Sequence, residues 1–266
     1  MKKLLLLVTL TLQLFASVIQ APLFSFDEKS NTATIKVKNV DVGVSGFIVH
    51  NITSEHTSIL KNVVVSSFDK EKQIATLKVS DFTGLRNNAL PTGKWSVEVG
   101  DNVILAFGYS RALLIAPSEE IYYRISKSVN IQWLHPDIFA TILSFNGHPT
   151  PLKEDFNAMN IATSVGLLFI YIDKKVFTVD IKSFKILTIS DAPLVQDSVV
   201  LPFYTRVEEI DAAWWGEGSN ELEEYEPYYY ELLVKYNKNN NQLYNIIKNA
   251  DKKLAHLLSE FEIKEQ

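Results

Sequence analysis

SRALLIAPSEEIY, residues 110–122, marks the point where the rhythm of the chain changes. Residues 112–116 are apolar at every position, which suits a strand covered on both faces rather than one. Pro117 and Ser118 follow, then Glu119 and Glu120. A serine hydroxyl placed to cap a helix, with acids in the first turn facing the positive end of the helix dipole, predicts a helix start. Strand passing directly into helix is the signature of an α/β unit, and the boundary with what precedes it falls near Ser110.

Downstream the same pattern repeats. Residues 129–134 (VNIQWL) read as a strand, residues 135–145 as a short helix opening at Pro136, and residues 153–162 as another helix. Residues 166–172 (GLLFIYI) read as a buried strand, and residues 175–180 and 183–189 pair across a short turn. Together they predict an α/β domain over 111–215 with a partly parallel sheet.

Upstream, over 17–110, apolar and polar residues alternate. TATIKVK (32–38) places Ala33, Ile35 and Val37 on one face and Thr34, Lys36 and Lys38 on the other, the period of a half-covered strand. DEKSN (27–31) is turn chemistry between residues 23–26 and that strand, and further strands are expected at 46–52, 58–66, 73–79 and 103–107. Short strands at regular intervals predict a β-rich barrel or sandwich. The whole is therefore expected to be α+β or mixed, ending in an acidic aromatic segment and a C-terminal helix over 216–266.

That helix carries a seam. Positions 233, 236, 240, 243, 247, 250, 254, 257 and 261 follow a 3-4 spacing and are apolar except for Asn240. One reading is a dimerising coiled coil; the other is a helix that packs its stripe on its own domain.

Met1-Lys2-Lys3 followed by the apolar run 4–15 is the order of a secretory signal, too short for the roughly 20 residues that span a bilayer as helix. Cleavage is expected after Ala16, leaving a mature chain with no transmembrane segment, exported to the periplasm or cell surface. There is no cysteine, so neither disulfides nor a lipidated Cys are expected. The formal charge is −5, and −7 without Lys2 and Lys3; with no basic stripe, nucleic acid is not an expected partner.

Three groups of residues carry candidate chemistry. Gly108-Tyr109-Ser110-Arg111-Ala112 has the outline of a nucleophile elbow, but strand rather than helix follows it, so a turn between strands is expected. His135 and Asp137 stand at a strand-to-helix junction, the carboxyl edge where α/β sheets bind ligands, and form the candidate pocket for acid–base chemistry or ligand binding. The remaining histidines lack metal-ligand spacing, and neither metal nor cofactor is expected. Trp214 and Trp215, with Tyr225, Tyr228, Tyr229 and Tyr230, lie among glutamates: either an interaction patch or a clamp for the C-terminal helix.

Four stretches, residues 31–50 (NTATIKVKNVDVGVSGFIVH), 110–122, 133–156 (WLHPDIFATILSFNGHPTPLKEDF) and 201–206 (LPFYTR), resemble the N-terminal domain family of bacterial plasminogen-binding proteins of the PgbA type. The resemblance implies a non-catalytic surface protein that captures host plasminogen. Kringle modules take a Lys ammonium in an aromatic trough flanked by carboxylates and cations, so the partner must offer a Lys at its C-terminus or beside a carboxylate. The last residues are Lys264-Glu265-Gln266, and the expected contacts are therefore the internal lysines Lys252, Lys253 and Lys264.

Overall fold

The computed structural model describes residues 18–82, 95–195 and 198–263. The signal segment 1–16 and Lys264 lie outside the described residues. The chain divides into two units, one running to Tyr109 and the other from Ser110 onward.

In the first unit, the described strands are β1 (Ile19–Asp27), β2 (Thr32–Lys36), β3 (Ser45–Asn51), β4 (Thr57–Asp69), β5 (Ile74–Asp81) and β6 (Asn102–Leu105). They form a closed barrel in the order β1-β2-β5-β4-β3-β6, and β6 returns to β1 with Leu105 opposite Ile19. Closure leaves no open strand edge in the ring, which removes a hazard for edge-to-edge association. Alternation supplies the lining: Leu23, Ala33, Ile35, Ile48, Val63, Leu77 and Val103 are buried. Register shifts in β1, β3 and β4 bend the strands, as curvature requires. Gly46 allows β3 to lie close to β6, since a Cβ there would stand 2.1 Å from the Ile104 carbonyl oxygen.

The second unit is built on a sheet of order β11-β10-β9-β7-β8 among the described residues. Its strands are β7 (Arg111–Ile115), β8 (Gln132–Leu134), β9 (Leu167–Ile172), β10 (Lys175–Asp180) and β11 (Ile186–Asp191). β8 and β9 both run parallel to β7, whereas β9, β10 and β11 form an antiparallel meander. All six residues of β9 are buried, as the unbroken apolar run predicts. β8 is shorter than the expected strand because Val129 ends helix α1 (Glu119–Ser128), and Trp133 Nε1 donates to the Ser126 and Val129 carbonyls.

Helices α2 (Pro136–Asn146), α3 (Lys153–Thr163) and α4 (Tyr225–Tyr236) contribute Phe139, Phe156, Tyr229 and Leu233 to one core with Leu113, Ile170 and Phe177 of the sheet. The α2–α3 corner is fastened by Asp155, whose carboxylate is fully buried. It accepts from Asn146 Nδ2 (2.8 Å), His148 Nδ1 (2.9 Å) and the Leu152 amide (2.7 Å). A buried carboxylate is tolerated only when donors replace its water.

One continuous C-terminal helix is not what forms. Asn237 stops α4: its amide Oδ1 accepts from Ile186 N, and its Nδ2 donates to the Phe184 and Leu233 carbonyls. Asn240 then caps α5 (Asn241–Lys248) by accepting from Leu243 N at 2.9 Å, and a 3-10 stretch follows over Lys252–Glu260. Asparagine side chains bind local backbone better than they continue a helix. The seam residues Leu233, Leu243, Ile247, Leu254 and Leu257 all lie in the chain's own core, so the stripe packs inward rather than along a partner helix.

Replacing Asp155 by Ala strands three donors in a buried corner. The expected loss is about 3–5 kcal/mol, read from the urea midpoint at unchanged slope.

Candidate functional site

In the strand order β8-β7-β9, the chain leaves β7 first toward one side and later reaches the other, so the carboxyl ends of β7 and β8 form a switch point of the kind that binds ligands in open α/β sheets. His135 and Asp137 stand there, as their place in the sequence predicts. Ser118 caps α1 beside them, accepting from Ile121 N. As expected from the strand that follows it, Gly108–Ala112 is a turn leading into β7 and not a nucleophile elbow, and Ser110 holds sheet geometry through its carbonyl, which accepts from Gln132 N at 3.2 Å.

The edge is not open. Residues 200–206 run across it as a strap, with Val200 N donating to the Pro117 carbonyl (2.7 Å) and Tyr204 N to the Ala116 carbonyl (2.8 Å). The strap contains the cis peptide Leu201-Pro202. Phe203 is buried and stacks on Phe139 at 5.4 Å, and the Pro202 carbonyl accepts from Tyr229 Oη at 2.9 Å.

Asp137 closes the strap. Its Oδ1 accepts from Thr205 Oγ1 and from Arg206 N, both at 2.9 Å, and its Oδ2 accepts from Arg206 Nε at 2.7 Å. Partial burial alone would raise this carboxyl. The bonds from Arg206 and Thr205, with the field of His135, outweigh it and hold the carboxyl down at about 2.

His135 is the N-cap of α2. With its proton on Nε2, the Nδ1 accepts from Asp137 N at 3.3 Å; protonated on both nitrogens, it faces Asp137 Oδ1 at 3.1 Å. Its Nε2 is enclosed without a hydrogen-bond partner among the described residues, and the ring lies edge-on to Tyr122 (5.4 Å) and Tyr204 (6.3 Å). Tyr204 Oη donates to Glu119 Oε1 at 3.2 Å. Burial, then that carboxylate, pushes the Tyr204 phenol up to about 12. The strap residues Tyr204, Thr205 and Arg206 belong to the stretch LPFYTR, yet no spacing in the sequence links them to position 137. Only the fold shows that partnership.

Of the candidate lysines, Lys252 and Lys253 are exposed at the start of the 3-10 stretch. Lys253 Nζ lies 3.2 Å from Glu224 Oε1, so a cation and a carboxylate stand side by side on this surface. Nearby is a cleft of about 540 Å³, lined among others by Lys153, Tyr228, Glu231, Tyr236 and His256. Lys153 Nζ sits 4.3 Å above the Tyr236 ring within it. Among the described residues, no three His, Cys, Asp or Glu side chains gather as metal ligands, and no helix is long and apolar enough to cross a membrane.

The aromatic cluster expected between Trp214 and Tyr230 separates into two. Tyr225, Tyr229 and Tyr230 are buried in α4, with Tyr225 Oη donating to the Tyr171 carbonyl at 3.0 Å. Trp214 and Trp215 are 94% and 80% exposed.

The fold and this edge together define a class: a closed β-barrel unit and a mixed-sheet α/β unit whose carboxyl edge is covered by a strap of the same chain. The chain belongs to the family described as Plasminogen-binding protein pgbA N-terminal, whose model matches residues 18–233. Proteins named Plasminogen-binding protein PgbA from Helicobacter pylori strains J99 and 26695 are each 30% identical over 207 residues, which is 75% of this chain and 44% of the relative. The chain thus matches less than half the length of these relatives. No solved structure matches it.

Asp137 is expected to hold the strap above the ordinary carboxyl range and to release it as pH falls through about 2, because a lowered folded-state pKa adds stability that protonation removes. The Arg206 amide resonance should titrate with a midpoint near 2; a midpoint at the unperturbed 3.8 would show that Asp137 does not hold it. Asp137→Asn should lower stability by on the order of 1–3 kcal/mol and speed amide exchange at Val200 and Tyr204.

Proposed function

We propose that this chain is an exported, non-catalytic binding protein of the cell envelope that engages host plasminogen through lysine-type contacts. Membership of a family described by plasminogen binding carries the reading. Two features of the geometry support it. Asp137 and the strap occupy the edge where an α/β enzyme would take its substrate. Lys252 and Lys253 are exposed beside Asp251 and Glu224, which offers a kringle the internal lysine with a nearby carboxylate that it requires. These lysines lie beyond residue 233, outside the matched region, and Lys264 stands with them as a third candidate.

Immobilised plasminogen should retain the full chain and release it on addition of a free lysine analogue. Lys252→Ala with Lys253→Ala should weaken retention about tenfold, the effect of losing one charge-assisted contact. Retention insensitive to the analogue would exclude a lysine-type mode.

Export follows the signal-like start. Mass spectrometry of the protein recovered from cells should find a mature chain beginning at Ser17, and protease treatment of intact cells should remove it if it is displayed on the outer face.

A second reading, a ligand-binding or enzymatic site at the sheet edge, has one observation in its favour: the enclosed, unpartnered Nε2 of His135. It requires the strap to leave. Small polar ligands that raise the melting temperature of the native chain but not of His135→Ala would favour it.

A further inference from the structure

Trp214 and Trp215 stand out because two large apolar side chains so exposed forgo several kcal/mol of burial. They do not sit on a loose tail. On the N-terminal side of the pair, Asp211 N donates to Ser144 Oγ (2.8 Å) and Ala213 N to the Gly147 carbonyl (2.8 Å). On the C-terminal side, Thr150 N donates to the Gly218 carbonyl (3.1 Å) and Thr150 Oγ1 to the Asn220 carbonyl (2.7 Å). Gly147 makes the attachment close: it adopts φ +72°, and a Cβ there would stand 2.6 Å from Ala213. The loop is thereby fixed at the end of α2, where Phe145 is 91% exposed and Ile138, two turns earlier on the helix, is also exposed.

Charge decides what fits. Between Arg206 and Lys235 the chain carries no Lys or Arg, while Glu208, Glu209, Asp211 and Glu217 flank the tryptophans. Lys235 meets Glu217 only at 4.0 Å. An anionic lipid surface would be repelled by this rim, and a second copy of the same patch would bring acids against acids. A partner segment bearing Lys or Arg beside an apolar residue is complemented on both counts, its cations over the indole faces and acids and its apolar residue between the rings.

We propose that the loop 211–220, with Trp214, Trp215 and Phe145, is a docking surface for a basic segment of another protein. It is distinct from the plasminogen contact, in which this chain would supply lysines; here it supplies aromatics and acids.

The test uses the full chain, a short peptide alternating Lys and Leu, and its Glu–Leu counterpart. The Lys–Leu peptide should bind and shift the tryptophan emission to shorter wavelength, with affinity falling as salt is added. Trp214→Ala with Trp215→Ala should weaken binding by tenfold or more, and Glu208→Gln with Glu209→Gln by several-fold with a shallower salt dependence. All four positions are exposed, so the melting temperature should stay unchanged and separates lost docking from lost folding. Equal binding by the tryptophan variant overturns the proposal, as does preference for the Glu–Leu peptide. Tryptophan-dependent binding to phosphatidylglycerol vesicles, or a dimer that the tryptophan variant abolishes, would replace it with a membrane or self-association surface.

Discussion

The carboxylate of Asp137 takes three donors from two adjacent residues, Thr205 and Arg206, and the closure of the second unit depends on that attachment. A strand edge leaves carbonyls at Ala116 and Pro117 that need partners, and the strap amides of Tyr204 and Val200 meet them. Once the strap is in place, Phe203 reaches the core beside Phe139, and the Pro202 carbonyl becomes the acceptor for Tyr229. Helix α4 is thus tied to the sheet edge at one point and, through Tyr225, to β9 at another. Asp137 therefore serves the packing of elements far from it in sequence, and its charge is used in holding chain against chain.

The aromatic residues divide by the same logic. A tyrosine can enter the core if its hydroxyl finds an acceptor, and Tyr225 and Tyr229 find backbone carbonyls there. Tyr230 is buried without such a partner among the described residues, with its ring edge-on to Phe177. The two tryptophans, separated from α4 by Gly216 and Gly218, stay on a loop whose backbone is anchored at both ends while its side chains face water. Acid-rich composition on one stretch thus serves two purposes: a core helix past Glu224, and a presented surface before it.

Functionally, the two surfaces argued for use opposite chemistry. In the proposed contacts, the lysines near the C-terminal stretch would offer cations to a partner, whereas the loop after α2 would offer aromatics and anions. Both lie in the second unit, and the matched family region includes the tryptophan loop but not the lysines. The relatives named for plasminogen binding extend well beyond the shared region.

Much of the fold was legible in sequence because local chemistry and tertiary demand agreed. Alternation in TATIKVK, the unbroken run GLLFIYI and the Ser118-Glu119-Glu120 start each name an element whose faces are set by period alone, and the structure contains each. The position of His135 and Asp137 at a sheet edge was legible for the same reason. Three things were not. The heptad stripe near the end persists through breaks made by Asn237 and Asn240, because apolar spacing reports burial but not whether the helix is continuous. The burial of Tyr225 and Tyr229 away from the tryptophans uses acceptors distant in sequence, the carbonyls of Tyr171 and Pro202. The partnership of Asp137 with Thr205 and Arg206 joins residues nearly seventy positions apart. Sequence by itself determined the kinds of elements and their buried faces, since period and capping are local properties. Only the tertiary structure decided that the carboxyl edge of the sheet is closed by the chain itself, since that depends on which distant donors arrive at one carboxylate.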